Sequence, residues 1–428
     1  MSKVRFRCSG IIFLSVLMIF SFSSVSIATN GDNLIGVGSA SRQMGGTGIA
    51  APQDAVGAIY SNPAAVGDCG KITLDFMGTL FIPTVTNRVT VTNLSYSADS
   101  ASKVYTIPSV AVTIPISKQL KVGLAAYGTS GLGVDYRGTN VDNSRYYDFS
   151  SFYGRPAGSI VYPLQSGTYT NYNSMQFAPF LRYKFDDQFS IGLAARVNYS
   201  MLDLGSGTSQ NYGLGGKIGI LYKPVEKVSL GLAYASPIEI NFKNVTDFDG
   251  DGVKDNLKLE QPQEVGFGIA VEPIKDKLLL EADVKWVNWA DASGYKDFDW
   301  DNQVVVGAGI QFKPVKELAL RAGYNYGKNP VKNHSNFVGS NMVSIQGHSM
   351  PVYYYESFRI TGFPALVEHH LTLGLQYTFN DKVSLNAGYM HAFEKTMKET
   401  GTNMAGYASS FETAMSEDSI ELGITVKF

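Results

Sequence analysis

From Lys71 to Phe428 the chain repeats one pattern: apolar and polar residues alternate for about ten residues, a polar turn follows, and the alternation resumes. In Lys71–Pro83, Ile72, Leu74, Phe76, Leu80 and Ile82 fall on one face, and Thr73, Asp75 and Thr79 on the other. A period of two is that of a β-strand, and about eleven residues is the length of a strand tilted across a bilayer. In Gln188–Ser200, Ile191, Leu193, Ala195, Val197 and Tyr199 alternate with a face that carries Arg196 and Asn198. Val228–Lys243, Asn302–Phe312 and Leu371–Phe379 repeat the design. No segment after the N-terminus offers 18 uninterrupted apolar residues. A chain that spans a membrane with such strands must close into a barrel, because lipid satisfies no backbone amide.

Six short polar turns each join two alternating runs: Ser117–Gln119, Phe185–Asp187, Pro224–Lys227, Pro273–Lys277, Lys313–Glu317 and Asn380–Lys382. With the strand that starts at Lys71 and the one that ends at Phe428, the count is fourteen, an even number as single-chain bacterial barrels require. Longer polar loops are expected at about 84–104, 129–173, 201–212, 244–260, 290–301, 327–366 and 394–416. The fold class is therefore all-β: a transmembrane antiparallel β-barrel of about 14 strands, with short turns on the periplasmic side. Tyr183, Tyr222, Trp286, Trp289 and Tyr326 lie near strand ends and suit interfacial aromatic girdles. Ser419–Phe428 alternates to a terminal aromatic, so Phe428 is expected to engage the barrel assembly machinery.

The N-terminal part differs. Met1–Ala28 has a basic start (Lys3, Arg5, Arg7), an apolar run Ile11–Phe20 and a small-x-small end Ser26-Ile27-Ala28, the form of a cleaved signal peptide. Residues 29–70 are rich in Gly and Ala and nearly uncharged. They show neither period and are expected to form a plug, or hatch, in the lumen of a barrel built from residues 71–428. Asn62 precedes Pro63 and Ala64; the proline biases Asn62 toward extended geometry, and its side chain can bond nearby backbone. Gly45, Gly46 and Gly48 allow close backbone approach. Cys69 is left alone in the mature chain, so no internal disulfide is expected.

Composition agrees. Charged residues are 17% of the 428, there are 25 Tyr, 24 Phe and 44 Gly, and the net charge is −2. That balance excludes nucleic-acid binding by charge and fits strands with one lipid face and one wet face.

Several motifs resemble the FadL-type long-chain fatty acid and hydrocarbon transporters of Gram-negative outer membranes: Ser61-Asn62-Pro63-Ala64-Ala65, Gly131-Leu132-Gly133-Val134-Asp135-Tyr136, Gly231–Pro237, Gly362–His370 and Gly388–His391. The resemblance implies a monomeric fourteen-stranded barrel, a hatch, capture of hydrophobic small molecules near the cell surface, passive uptake, and lateral release into outer-membrane lipid beside a kinked third strand.

A substrate carboxylate needs a cation at the end of an apolar channel. Arg182, Arg196, Lys217, Lys285 and Arg321 face the lumen by alternation and are the candidates, beside the acidic Glu281 and Asp283. The loop at 327–366 is unusually apolar for an exterior segment. Phe337, Met342, Met350, Tyr354 and Phe358, with Met404 from the neighbouring loop, are expected to form a surface groove. Asp247, Asp249, Asp251 and Asp255, with Gly250 and Gly252 between, have calcium-loop spacing, although Lys258 stands where an EF-hand carries Glu. No other cofactor is expected. His369 and His370 point to opposite faces and do not chelate one ion. No nucleophile elbow or zinc spacing occurs, so an enzyme is not expected; an outer-membrane phospholipase or protease and a general porin are the alternatives.

Overall fold

The computed structural model describes residues 29–67, 70–142, 146–148, 150–159 and 161–428. The expected leader and Cys69 lie outside the described residues. Fourteen long antiparallel strands form the barrel: β1 (Thr73–Val91), β2 (Tyr105–Pro115), β3 (Leu120–Asp135), β4 (Tyr169–Lys184), β5 (Phe189–Asp203), β6 (Ser209–Val225), β7 (Val228–Ala235), β8 (Glu264–Ile274), β9 (Leu278–Val287), β10 (Gln303–Val315), β11 (Leu318–Gly327), β12 (His369–Thr378), β13 (Val383–Thr402) and β14 (Ala408–Lys427). Each pairs with its neighbour, and β14 closes on β1 from Lys427↔Thr73 to Ser409↔Val91. Closure removes the sheet edge that lipid could not solvate.

The faces follow the alternation. Leu193, Leu232, Phe267, Leu373 and Leu422 point outward and stand 45–65% exposed, whereas Asp75, Arg196, Asn198, Glu281 and Asp283 point inward and are buried. An apolar exterior around a polar interior is a lipid-facing wall. All six short turns join consecutive strands as expected.

Several expectations change. The run Val228–Lys243 leaves the wall after Ala235, and Ile238–Thr246 is one arm of a separate two-stranded hairpin. The strands β1, β13 and β14 are 19, 20 and 20 residues long and run far into the stretches read as loops at 84–104 and 394–416. There the apolar face switches sides: Thr84, Thr86, Arg88 and Thr90 point outward, while Val85, Val89, Val91, Phe411 and Met415 point inward into the cap cluster, so the lipid-facing signal ends while the backbone ladder continues. Likewise β3 and β4 take the ends of the 129–173 stretch, and β5 and β6 most of 201–212. Trp289 does not sit at a girdle. The alternation of β9 ends at Val287, the chain turns inward, and Trp289 is fully buried against Tyr295 and Trp300, with ring centroids 4.6 and 5.2 Å away.

The longer connections fold over the outer mouth as a cap. The hairpin Ile238–Thr246/Asp255–Gln261 lays Ile240, Phe242, Leu257 and Leu259 into an apolar cluster with Trp289, Trp300 and helix α3 (Val352–Ser357). The lumen below holds residues 29–67, which include the short helices α1 (Ser39–Gln43) and α2 (Ala55–Ser61). Asp54 caps α2 by accepting the Gly57 amide at 2.6 Å. Leu34, Val56 and Ile59 pack with Phe81, Tyr105 and Tyr127 of the wall in a second apolar cluster, separate from that of the cap.

Candidate functional site

The hatch has little regular structure, so its amides need acceptors from elsewhere. The wall supplies them. Glu281 accepts from Ala50 and Ala51 at 2.9 and 2.8 Å, and Asp283 from Gly48 and Ile49 at 2.8 and 3.0 Å. Asn62 is fully buried at the head of a 3-10 turn, Pro63–Ala65. Its Nδ2 donates to the carbonyls of Ile49 (2.7 Å) and Ile220 (3.0 Å), and its Oδ1 accepts from Ala64 (3.0 Å). Glycines make room opposite. Gly192 and Gly219 face each other across β5 and β6, and a Cβ on either would meet the Asn62–Ala64 turn at about 2 Å: 2.2 Å for Gly192 and 1.9 Å for Gly219. Gly374 and Gly388, likewise paired, admit Gln43.

Of the five candidate cations, three donate to hatch carbonyls: Arg182 to Val66 (2.9 Å), Lys217 to Tyr60 and Lys285 to Ile35 (3.2 Å). Arg321 donates to Gln311, Gln376 and Asn386 of the wall and to Gln43 of the hatch, at 2.7–3.1 Å. Arg196 alone of the five turns away from the hatch. It donates to the Ser236 carbonyl at 2.7 Å and makes longer contacts with Gln176 (3.3 Å) and Gln261 (3.4 Å).

The wall itself is irregular at β3. Alternation stops at Ala125, and the ten residues Ala125–Val134 are all buried. Thr129 is an extra residue: Gly128 pairs with Met175 and Ser130 with Ser174. Such a bulge bends a strand. On its other side β3 pairs with β2 only from Pro115↔Lys121 to Ser109↔Tyr127. Above that, Tyr105–Pro108 and Gly128–Val134 share no ladder, and Pro108 has no amide to donate. Ala101 donates to the Asp135 carbonyl at 2.8 Å and closes the top. The result is a window in the hydrogen-bonded wall. Tyr105 and Ile107 on its β2 side belong to the hatch cluster, and Leu132 and Val134 on its β3 side to the cap cluster.

Between those clusters lies a buried polar layer. Ser174 and Asn198 bond at 2.9–3.1 Å, Asn198 donates to Ser200 (2.8 Å), and Tyr127 donates to Gln176 (3.0 Å). Asn33 of the hatch accepts from Ser130 (2.7 Å) and donates to Glu264 (3.1 Å), and Gly131 donates to the Asp32 carbonyl (3.2 Å). Gln261, at the foot of the cap hairpin, donates to Thr129, Ser130 and Ser174 at 3.2, 3.2 and 2.9 Å. None of Asn33, Thr129, Ser130 and Gln261 was singled out from sequence. The available signal was Ala125–Val134, an uncharged stretch with three glycines and no alternation.

The expected groove divides. Met350, Tyr354 and Phe358 line an outer cleft of ≈ 560 Å³ with Arg137, Tyr169 and Phe248. Phe337 is buried and stacks on Phe411 at 5.9 Å, Met404 packs half-buried on the cap, and Met342 is exposed apart from the cleft. In the Asp-rich loop, Asp247, Asp249 and Asp251 bring one oxygen each within 4.8 Å of the others. Asp255 stands instead with Asp249 and His348 in a second group within 4.8 Å; it accepts from Phe248 (2.9 Å) and meets His348 at 2.9 Å.

A further charged cluster ties three cap segments. His334 places Nδ1 2.8 Å from Glu356 and Nε2 2.9 Å from Asp299. Arg359 joins Glu356 (2.9 Å) to Glu399 (2.8 Å). The Glu356 hydrogen bond holds His334 protonated to higher pH than usual.

Comparison with known proteins fits this geometry. Residues 202–338 match the family described as outer membrane protein transport protein (OMPP1/FadL/TodX). Outer membrane protein P1 of Haemophilus influenzae is 23% identical over 198 residues, 42% of this chain; the match spans 38% of that relative's length. A Pseudomonas aeruginosa FadL homologue superposes with a TM-score of 0.66 at 14% identity, covering 93% of this chain and 100% of the other. The Pseudomonas putida toluene transporter TodX gives 0.63 at 17%, covering 94% and 100%. The Ralstonia pickettii toluene transporter TbuX gives 0.58 at 17%, covering 93% and 99%.

Proposed function

We propose that this chain, an outer-membrane β-barrel with the fold of the FadL and TodX structures, is a passive uptake channel for hydrophobic compounds, long-chain fatty acids or hydrocarbons, that releases them sideways into the membrane. The family that residues 202–338 match is described as one of outer-membrane transport proteins. The observation that carries lateral release is the window between β2 and β3. A greasy molecule moving down the axis meets the polar layer and then the hatch. Displacing a buried polar group from its partners costs about 1–3 kcal/mol each. The window offers instead Tyr105, Ile107, Leu132 and Val134, the margins of both apolar clusters, and beyond it lies lipid. A long-chain fatty acid, or a monoaromatic such as the toluene of the transporters TodX and TbuX, would take the same apolar route.

Entry begins at the outer cleft. Met adapts to ligand shape and aromatic rings supply broad contact, and Met350, Tyr354 and Phe358 combine the two. Uptake of labelled oleate and toluene into cells that express the protein tests the reading. Replacing Met350 and Tyr354 with Ser should slow uptake several-fold at limiting substrate while heat-modifiable gel mobility stays normal. No uptake of either compound by the unaltered protein overturns the reading. A steady ion conductance in planar bilayers would favour a porin instead.

A further inference from the structure

The bulge at Thr129–Ser130 is gripped from two directions. From below, Asn33 of the hatch accepts the Ser130 hydroxyl at 2.7 Å, and the Asp32 carbonyl accepts the Gly131 amide. From above, the side-chain amide of Gln261 reaches both Thr129 and Ser130 at 3.2 Å. Gln261 is the last residue of the cap hairpin, opposite Ile238, and it is buried. The rest of that hairpin is part of the cap: Ile240, Phe242, Leu257 and Leu259 are in its core, and Lys258 exchanges hydrogen bonds with Gln346 of another loop at 2.9 Å. Pro262 follows at once, so the hairpin leaves the barrel wall through a residue of restricted backbone. A molecule that parts this hairpin from the rest of the cap cluster and shifts its foot draws the Gln261 amide off the bulge.

We propose that Gln261 is the positioning residue that holds the β3 bulge across the window, so that displacement of the Ile238–Gln261 hairpin by a hydrophobic molecule in the cap releases the bulge and opens the lateral path. This rests on the uptake reading above. It makes cap occupancy the trigger for window opening. The hatch grip through Asn33 and Asp32 acts in parallel with that of Gln261, so loss of the Gln261 bonds loosens the bulge and leaves the hatch contact as its remaining hold. The chemistry of Gln suits this position, since its amide nitrogen stands within 3.2 Å of three hydroxyls, those of Thr129, Ser130 and Ser174, while its oxygen accepts from Arg196 at 3.4 Å, which fixes its orientation.

Hydrogen exchange read by mass spectrometry on the full mature barrel in mild detergent tests this, with oleate as the probe. Gln261→Leu keeps the bulk and removes the bonds. It should raise exchange of residues 126–135 about tenfold without oleate, the factor that corresponds to ~1.4 kcal/mol, with normal heat-modifiable mobility. A residue that served stability alone would lower the melting temperature without this selective loss of protection. In the unaltered protein, oleate should deprotect 126–135 and 238–261 together. Unchanged exchange at 126–135 in folded Gln261→Leu overturns the proposal. So does deprotection of 126–135 by oleate with 238–261 unmoved, a result that does not depend on any variant folding. In both cases uptake by the unaltered protein would stand, which separates this failure from failure of the uptake reading.

Discussion

A methyl group on Gly219 would stand 1.9 Å from Oδ1 of Asn62. The hatch and the wall are therefore fitted at a backbone-to-side-chain contact that tolerates no added atom. Asn62 cannot retreat, because its amide is committed to Ile49 and Ile220. Gly219→Ala should unseat the Asn62–Ala65 turn. Overpacking of this kind costs typically 1–3 kcal/mol, and the expected readings are a lower melting temperature and brief current steps in planar bilayers that the unaltered protein lacks. A quiet, equally stable variant would show that the turn does not seal the lumen.

The His334 bridge makes the cap sensitive to pH. Its ring faces Asp299 and Glu356, with Arg359, Glu399 and Lys332 next around it. Its affinity for the proton is raised, first by the Glu356 hydrogen bond. Burial opposes ionisation of Glu356, but the His334 hydrogen bond and the Arg359 charge together hold its carboxyl below the usual range. A raised histidine contributes stability that is complete below its ordinary value near 6.5 and is lost as pH rises through the folded value. Exchange of residues 297–302 and 332–359 should therefore quicken as pH rises above about 6.5, and His334→Ala should remove that dependence. A flat profile in the unaltered protein would contradict it.

Calcium is proposed for the Asp-rich loop on the strength of three converging carboxylates. The same oxygens also serve the loop itself: Asp247 accepts from Gly250 at 2.6 Å and from Gly252 at 2.9 Å. Calorimetry with calcium chloride should show binding that Asp249→Ala weakens at least tenfold. Equal titrations would leave an acidic turn held by its own backbone.

Much of the barrel was legible because lipid enforces strict rules on both ends of a strand. Ile191 to Tyr199 must alternate with Arg196 and Asn198, and Asn380-Asp381-Lys382 can only turn. The rule lapses outside the membrane, where Thr86, Arg88, Glu412 and Lys398 continue β1, β14 and β13 on the outer face and the apolar residues, Val85, Val89, Met397 and Phe411, turn inward to the cap. Trp289 was misplaced for a related reason: an aromatic at a strand end suits a girdle and a buried cap equally, and only the inward turn after Val287 decides. The basic residues of the lumen were legible as inward-facing, but not their partners. Arg182 and Lys285 meet the carbonyls of Val66 and Ile35 across 116 and 250 residues. Gln261 was invisible for the same reason, since nothing in its neighbourhood along the chain announces Thr129.

The central claim is that hydrophobic cargo leaves through the wall between β2 and β3. Ile107 and Thr129 each lie two residues beyond the last ladder pair, Ser109↔Tyr127, on the two margins of the window. Ile107→Cys with Thr129→Cys, in a Cys69→Ser background, would bridge the window with a disulfide. The measurement is oleate uptake by cells that carry the oxidised and the reduced pair. The account predicts that oxidation abolishes uptake while oleate still binds, and that reduction restores it. Full uptake through the oxidised barrel would contradict lateral release and send the cargo past the hatch instead.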